Sequence, residues 1–362
     1  MKILQKYFLK ELLFVFFPIE IFLIFIFILS EIFWRFSDFI LHKPKMLDVI
    51  YFLSLHIPLW FTQTLPMSLM LSTLLSISTF AYYREIIAVK TLSIDTRKFF
   101  LSWLLLGVIF SISSFFIHDK IATNGFSKAQ EIFYTKIKKE KFNKDFLENL
   151  FYYVVNGENI TYIFVEKYDK IDKEVNFFLL QEYERNKLKL QICSPYGKKQ
   201  NSNLLLNSVV IQKFNEKHDL IAEVILSKYN YQLPVELEYF QYDYTTMQLD
   251  QFNIKQLKQA LKVSSLKGES VNRILTEISY RFAISFLNFI VILLAIPLSQ
   301  NIPSQYGKLT SFLYMLILLI IYWTLLSFLR VMSELGVINP YYGVWIPNIL
   351  LLIFGTFIYF KK

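Results

Sequence analysis

Four histidines (His42, His56, His118 and His218), one cysteine (Cys193) and scattered acids are the residues from which a catalytic or metal site would have to be built. Their spacing does not build one. The histidines form no HExxH or other zinc-ligand pattern, and a single thiol gives neither a disulfide framework nor a thiolate cluster. There is no Gly-x-Ser-x-Gly elbow to expose a nucleophile. Neither a Gly-x-x-x-x-Gly-Lys-[Ser/Thr] loop nor a Gly-x-Gly-x-x-Gly turn occurs, so the chain carries no nucleotide motif of its own. No cofactor, no metal and no catalytic residue is expected.

What the sequence offers instead is charge placed where charge is expensive. Glu20 follows Pro18 inside an apolar run, roughly 15 Å along a helix from Lys10. Glu31 and Arg35, and likewise Glu277 and Arg281, stand one helical turn apart at the ends of other apolar runs. A charged side chain at the centre of a bilayer costs at least about 2.5 kcal/mol, so each of these needs a partner, a cavity or an interface. Glu20 reads equally as a helix–helix contact or cavity wall and as a protonated carboxyl bonded to a neighbouring helix. Glu31–Arg35 reads as an interfacial i,i+4 pair, and Arg281 as an arginine snorkelling to the interface.

A second charged feature is Phe80–Thr96, FAYYREIIAVKTLSIDT, lying between two long apolar spans. At helical spacing Ile86, Ile87, Val89 and Lys90 alternate with Arg84, Glu85 and Thr91. Crossing a bilayer takes about 20 apolar residues, so this stretch predicts a helix lying on the membrane surface. Its charged edge, above all Arg84 and Glu85, would face a soluble partner. The alternative is a plain connecting helix.

The elements that must position these residues are written in an apolar vocabulary. Of 362 residues, 54% are hydrophobic and 18% aromatic, above soluble norms. Apolar spans are predicted at about Leu12–Phe33, Val49–Ser78 (broken by Pro58 and Pro66), Phe99–Ile117, Ile278–Leu298, Leu309–Met332 and Tyr342–Phe360. From Ala129 to Lys267 apolar residues alternate instead, at Phe151–Val155, Thr161–Val165, Val175–Leu180, Leu188–Ile192, Val209–Phe214 and Leu220–Leu226. Asn156-Gly157-Glu158-Asn159 reads as a hairpin turn, and Leu249–Val263 as an amphipathic helix leading back to the membrane.

The fold class is therefore a six-helix membrane protein with an inserted all-β, jellyroll-like domain. Its expected divisions are 1–128 for helices one to three, with the surface helix at about 80–96, 129–267 for the β domain, and 268–362 for helices four to six. The net charge of +9 clusters beside the apolar spans, which fits membrane topology and not nucleic-acid binding. Lys2, Lys6, Lys10, Arg84, Lys90, Arg97, Lys98, Lys308, Lys361 and Lys362 share one side. The opposite short loops carry only Arg35, Lys43, Lys45 and Arg330. The positive-inside rule puts the termini in the cytoplasm and the β domain outside.

In order and spacing, several short pieces resemble the lipopolysaccharide export permeases of the LptF/LptG (YjgP/YjgQ) family over essentially the whole chain. They are Leu65-Pro66 with Ser68–Ser76, Arg84-Glu85-Ile86-Ile87-Ala88, Glu277…Arg281, Ala295-Ile296-Pro297-Leu298-Ser299, Gly307, and Trp345-Ile346-Pro347-Asn348. The resemblance implies an inner-membrane permease that works beside a second six-helix permease. The other implied partners are a cytoplasmic ABC ATPase dimer and an accessory protein with one membrane helix and its own jellyroll. It makes the surface helix a coupling helix, with Arg84, Glu85, Ile86 and Val89 meeting the ATPase. It makes the β domain a jellyroll that passes acyl chains onward, with Phe151, Tyr153 and Phe164 lining its interior. An anionic, multi-acylated lipid asks for an apolar cavity with a basic rim, for which Arg35, Lys43 and Lys45 are the candidates; plain interfacial anchoring accounts for the same three. Ser93 stands where the family often has glycine after the coupling helix.

The chain is thus expected to extract lipopolysaccharide, or a related glycolipid, with ATP hydrolysed by a partner. The rival readings are a membrane-anchored assembly protein whose β domain binds partners without transport, and an intramembrane enzyme. A topology reporter fused after Lys189 is expected on the outer side and one fused after Lys362 on the cytoplasmic side. Both reporters on one side would refute the six-span arrangement.

Overall fold

The computed structural model describes the chain apart from residues 1, 92–96, 140–145, 157–158, 186, 201–202, 216–218, 234–236, 238–247, 268, 301–306 and 361–362. It divides into two compact units. The first holds Met1–Glu140, Asp250–Asn253 and Leu275–Lys362. The second holds Lys141–Leu249 and Ile254–Ile274.

The first unit is helical. Helix α1 (Lys2–Trp34) is followed by α2 (Phe36–His42), α3 (Met46–Tyr82), α4 (Glu85–Thr91) and α5 (Arg97–Phe116). The helix does not stop at Phe116: a π segment (Ile117–Ala122), α6 (Thr123–Ile132) and a second π segment (Phe133–Ile137) carry it on. After the second unit come α8 (Asn272–Gln300), α9 (Gly307–Glu334), the short α10 (Pro340–Gly343) and α11 (Ile346–Phe360). Among the described residues six helices are long and apolar enough to cross a membrane. Two of them, α3 and α8, are mostly buried, whereas the rest turn most side chains outward. That is the pattern expected where lipid is as apolar as the core. The core joins Phe8, Leu12 and Phe16 of α1 to Leu65, Leu69 and Leu74 of α3, Trp103 of α5 and Leu287 and Val291 of α8.

The second unit is a six-stranded antiparallel meander, β1 (Phe146–Asn156), β2 (Asn159–Asp169), β3 (Glu174–Glu184), β4 (Lys187–Gln200), β5 (Asn203–Phe214) and β6 (Leu220–Gln232), paired in chain order. Helix α7 (Ile254–Leu266) follows, burying Leu257, Ala260 and Val263. A row of directly opposed amides, Gln181–Gln191–Gln212, ends on Glu223 and ties β3 to β6 through side-chain hydrogen bonds of 2.8, 3.4 and 2.9 Å. Such cross-strand pairs set register where backbone pairing alone would not.

One transverse row interrupts this ladder. Glu166 of β2, Phe177 of β3, Pro195 of β4 and Ser208 of β5 are each passed over in the pairing of neighbouring strands. Phe177 and Ser208 take left-handed φ values of 52° and 54°, and Pro195 has no N–H to give to a ladder in any case. The buried set changes phase across the row: Ile163 and Val165 but Tyr168 in β2, Val175 but Phe178 and Leu180 in β3, Leu204 and Leu206 but Val209 in β5. Bulge-like residues aligned across a sheet bend it along that line. The hydroxyl of Ser194, fully buried beside the row, lies 2.7 Å from the Asn207 carbonyl and 2.9 Å from that of Tyr196, serving acceptors at the break.

Three expectations shift. The third span runs 20 residues beyond its expected end at Ile117, to Ile137, so position 129 falls inside α6, where Ala129 packs with Phe52 and Phe133. The surface stretch is not one helix, because α3 keeps Phe80 in the core and α4 begins only at Glu85. Among the described residues the sheet is a meander, without the crossing connections of a jellyroll. Gly157 and Glu158 of the predicted turn and Ser93 lie outside the described residues. Because Ser208 is exposed and its φ is left-handed, Ser208→Gly should leave unfolding of the β unit unchanged or slightly harder. Ser208→Val should destabilise it by about 1–3 kcal/mol. Chemical denaturation read by circular dichroism checks the pair, and equal effects would remove the strain from the account.

Candidate functional site

The turn between α3 and α4 is built from Tyr83 and Arg84. Tyr83 closes α3, its N–H donating to the carbonyl of Thr79, and Arg84 reverses the chain with a φ of 58°. A non-glycine residue there is uncommon, and at such a place it marks a fixed, sharp corner. Glu85 then begins α4, where a carboxylate favours the positive end of the helix, and the Tyr7 hydroxyl approaches its Oε1 at 3.5 Å. Ile86 and Val89 point inward, 7% and 6% exposed, and Ile86 joins the core of Phe8 and Phe80. Ile86 therefore holds α4 to its own bundle, with Val89 buried one turn on. The outward face is Tyr83, Arg84 and Ile87, with Glu85 at its edge. The helix phase, not the composition, decides this, because i and i+3 share one face.

The expected rim separates in a similar way. Lys43, in the left-handed conformation (φ 42°), and Lys45 are exposed on either side of the α2–α3 connection. Arg35 is committed elsewhere. It pairs with Glu31, and its guanidinium lies 3.9 Å from the ring centre of Phe133 and 5.0 Å from that of Phe52. Such cation–π stacking holds Arg35 against the bundle, so of the three only the lysines point outward.

In the β unit Phe151 is exposed and Tyr153 and Phe164 are half-buried. Phe151 opposes Phe164 across β1 and β2, and Phe151 is 59% exposed. The enclosed face carries Tyr152, Ile163, Val165, Phe178, Leu180, Leu204 and Leu206 instead, each 1% exposed or less. Burial pushes the hydroxyl of Tyr231 up to about 12, with Glu182 adding to the effect, and raises that of Tyr152 well above its ordinary value. Both phenols therefore stay neutral at physiological pH on an apolar face. At the edge, β6 leaves Leu220, Ile221, Val224 and Ile225 exposed.

The feature hardest to foresee lies in α8. Glu277 and Arg281 are each 1% exposed, so Arg281 does not snorkel. Arg281 Nε donates to Glu277 Oε1 at 2.8 Å, and Arg330 Nη2 of α9 donates to Glu277 Oε2 at 2.9 Å. Arg330 also pairs with Glu334 at 3.0 Å and lies 4.4 Å from the ring centre of Tyr280. Arg281 Nη1 reaches the Phe252 carbonyl at 2.7 Å and Asp119 Oδ1 at 4.0 Å. His118, Asp250 and Glu277 bring ligand-type atoms within 4.8 Å of one another. Both oxygens of Glu277 already accept from guanidinium groups, however, and two cations repel a third. The arrangement is an ion-pair cluster, not a metal centre. The π segment at Ile117–Ala122 places His118 and Asp119 there, the kind of helix defect that sequence periodicity does not announce.

Two further polar contacts join helices. Glu20, 3% exposed, accepts from Thr64 Oγ1 at 2.7 Å and so joins α1 to α3. Asn348 of α11 accepts from the Tyr322 hydroxyl of α9 at 2.9 Å and donates to the Ala283 carbonyl of α8 at 2.7 Å.

Residues 6–361 match the family model described as lipopolysaccharide export system permease LptF/LptG. A search of curated proteins returned no match.

Proposed function

The chain belongs to the LptF/LptG family of lipopolysaccharide export permeases, and from that premise we propose that it is the membrane-spanning subunit of an ATP-driven lipid extractor. As a member of a permease family with six apolar helices it is a multi-pass inner-membrane transport protein. The finer reading concerns its partners and moving parts. An ABC ATPase dimer docks on the α3–α4 corner from the cytoplasm, and a second six-helix permease completes the lipid cavity. The β unit lies in the periplasm, where it receives the acyl chains of lipopolysaccharide and hands them to a bridge of similar domains, joined by a single-span accessory protein.

The observation that carries this reading is the α3–α4 corner. An apolar side chain (Ile87), an aromatic (Tyr83) and two opposite charges (Arg84, Glu85) stand outward on a helix that Ile86 fixes to the core. A force applied to α4 therefore reaches α3 and α1 through buried contacts. The lipid path is supported by the apolar face of the sheet: Ile163, Val165 and Leu180 are covered within the unit, and acyl chains reach them in place of Phe151, Tyr153 and Phe164 once that face opens. The exposed β6 edge suits strand addition, which gains main-chain hydrogen bonds without demanding particular side chains. The anionic headgroup is met by Lys43 and Lys45.

Glu85 separates this reading from that of a passive anchor. Opposing charges in a desolvated groove are worth about 2–5 kcal/mol by truncation, whereas a solvent-exposed pair is worth only about 0–1 kcal/mol. Glu85→Lys is expected to insert and fold normally, to lose ATPase co-purification or uncouple hydrolysis from lipid release, and to be partly rescued by a charge-swapped ATPase. Normal transport and normal ATPase binding in Glu85→Lys would leave the corner as a connector.

A further inference from the structure

The ion-pair cluster around Glu277 has a consequence for how the chain is tied together. Asp250–Asn253 belongs to the helical unit, although Leu249 before it and Ile254 after it belong to the β unit. The chain thus leaves the β unit for four residues and re-enters it. Within the helical unit Arg281 holds that short return by donating to the Phe252 carbonyl at 2.7 Å. The acceptor is main chain, so the hold fixes the backbone whatever the side chain at 252. The same guanidinium is anchored by Glu277, which Arg330 of α9 grips from the other side. The last passage between units, at Ile274 and Leu275, lies one helical turn before Glu277 on α8 itself.

We propose that Arg281, set by Glu277 and Arg330, is a positioning residue that locks Asp250–Asn253 to α8 and α9, so that movement of these helices is delivered to the chain entering and leaving the β unit. This rests on the transport reading above. The chemistry requires arginine. Its planar fork sends Nε to one acceptor and Nη1 to another in fixed directions, whereas a lysine ammonium is a single point that serves one of them. The buried setting adds force, because water is not there to replace a lost partner and removing one member strands the others. Asp119, 4.0 Å from Nη1, adds the π segment of the third span to the same lock.

The test uses the chain assembled with its partner permease and ATPase in liposomes containing lipopolysaccharide, and compares Arg281→Lys with the wild type. Hydrogen exchange at the amides of Asp250–Asn253, ATP hydrolysis and lipid release to a soluble periplasmic acceptor are read together. A charge-assisted hydrogen bond lost from a buried site should speed exchange there about tenfold or more. Hydrolysis is expected to continue while release falls by a similar factor. The double variant Glu277→Gln/Arg281→Gln removes both charges at once, leaving the net charge of the cluster unchanged and Arg330 paired with Glu334; it serves where Arg281→Lys does not assemble, and should give the same split. Faster exchange with undiminished release would overturn the proposal, as would unchanged exchange in both variants. Absence of ATP-driven release in the wild type would count against the transport reading instead, while the exchange measurement still decides whether Arg281 holds the segment.

Discussion

A polar group buried among apolar helices carries a solvation cost that hydrogen bonds or opposite charge must offset, and Glu277 is matched on both of its oxygens by guanidinium groups. Much of the helical unit is arranged around that requirement. Arg281 must sit one turn on from Glu277, Arg330 must arrive from α9 at the same depth, and the Phe252 carbonyl must close the far side of Arg281. Smaller versions of the rule recur where Thr64 serves Glu20, where Glu31 and two aromatic rings take Arg35, and where Asn348 joins α8, α9 and α11. Since hydrocarbon gives helices no reason to associate through apolar area alone, these polar contacts and close packing fix which helices are neighbours.

The proposed function uses two different surfaces of the same chain. The α3–α4 corner is exposed and charged, with its inner side joined to the core by Ile86. The face of the sheet that carries Ile163, Val165 and Leu180 is apolar and enclosed. On that proposal, energy input and lipid contact fall on residues with opposite physical character. In the proposed cycle a lipid with several acyl chains gains by burial against the second face once it opens, and a soluble ATPase gains by charge and shape complementarity at the first.

The spans were readable because a bilayer demands a long apolar run and little else matches it. The six strands were readable in position, since each has its own alternating run. Their phase was not. The row through Glu166, Phe177, Pro195 and Ser208 shifts the alternation within β2 to β5, so a pattern taken from one end of such a strand puts the wrong residues inside at the other. Phe151, Tyr153 and Phe164 were drawn to the interior by being aromatic, but the period of two gives that place to Tyr152 and Ile163. At the corner the Arg84-Glu85 pair was visible as charge, while the inward turn of Ile86 and Val89 depends on where α4 starts, set by the left-handed Arg84. Arg281 looked interfacial because its partners Phe252 and Asp119, and Arg330 beyond Glu277, are distant in sequence and brought together only by folding.

The central claim is that ATP-driven movement carries lipid along the enclosed face of the β unit. Its most direct measurement places a photo-crosslinking amino acid at Ile163, and separately at Phe151, in the complete complex in lipopolysaccharide-containing liposomes. The account predicts a lipid adduct at Ile163 that rises on adding ATP and stays at background when hydrolysis is blocked, with little adduct at Phe151 under either condition. Adducts confined to Phe151, or equal at Ile163 with and without ATP, would contradict it.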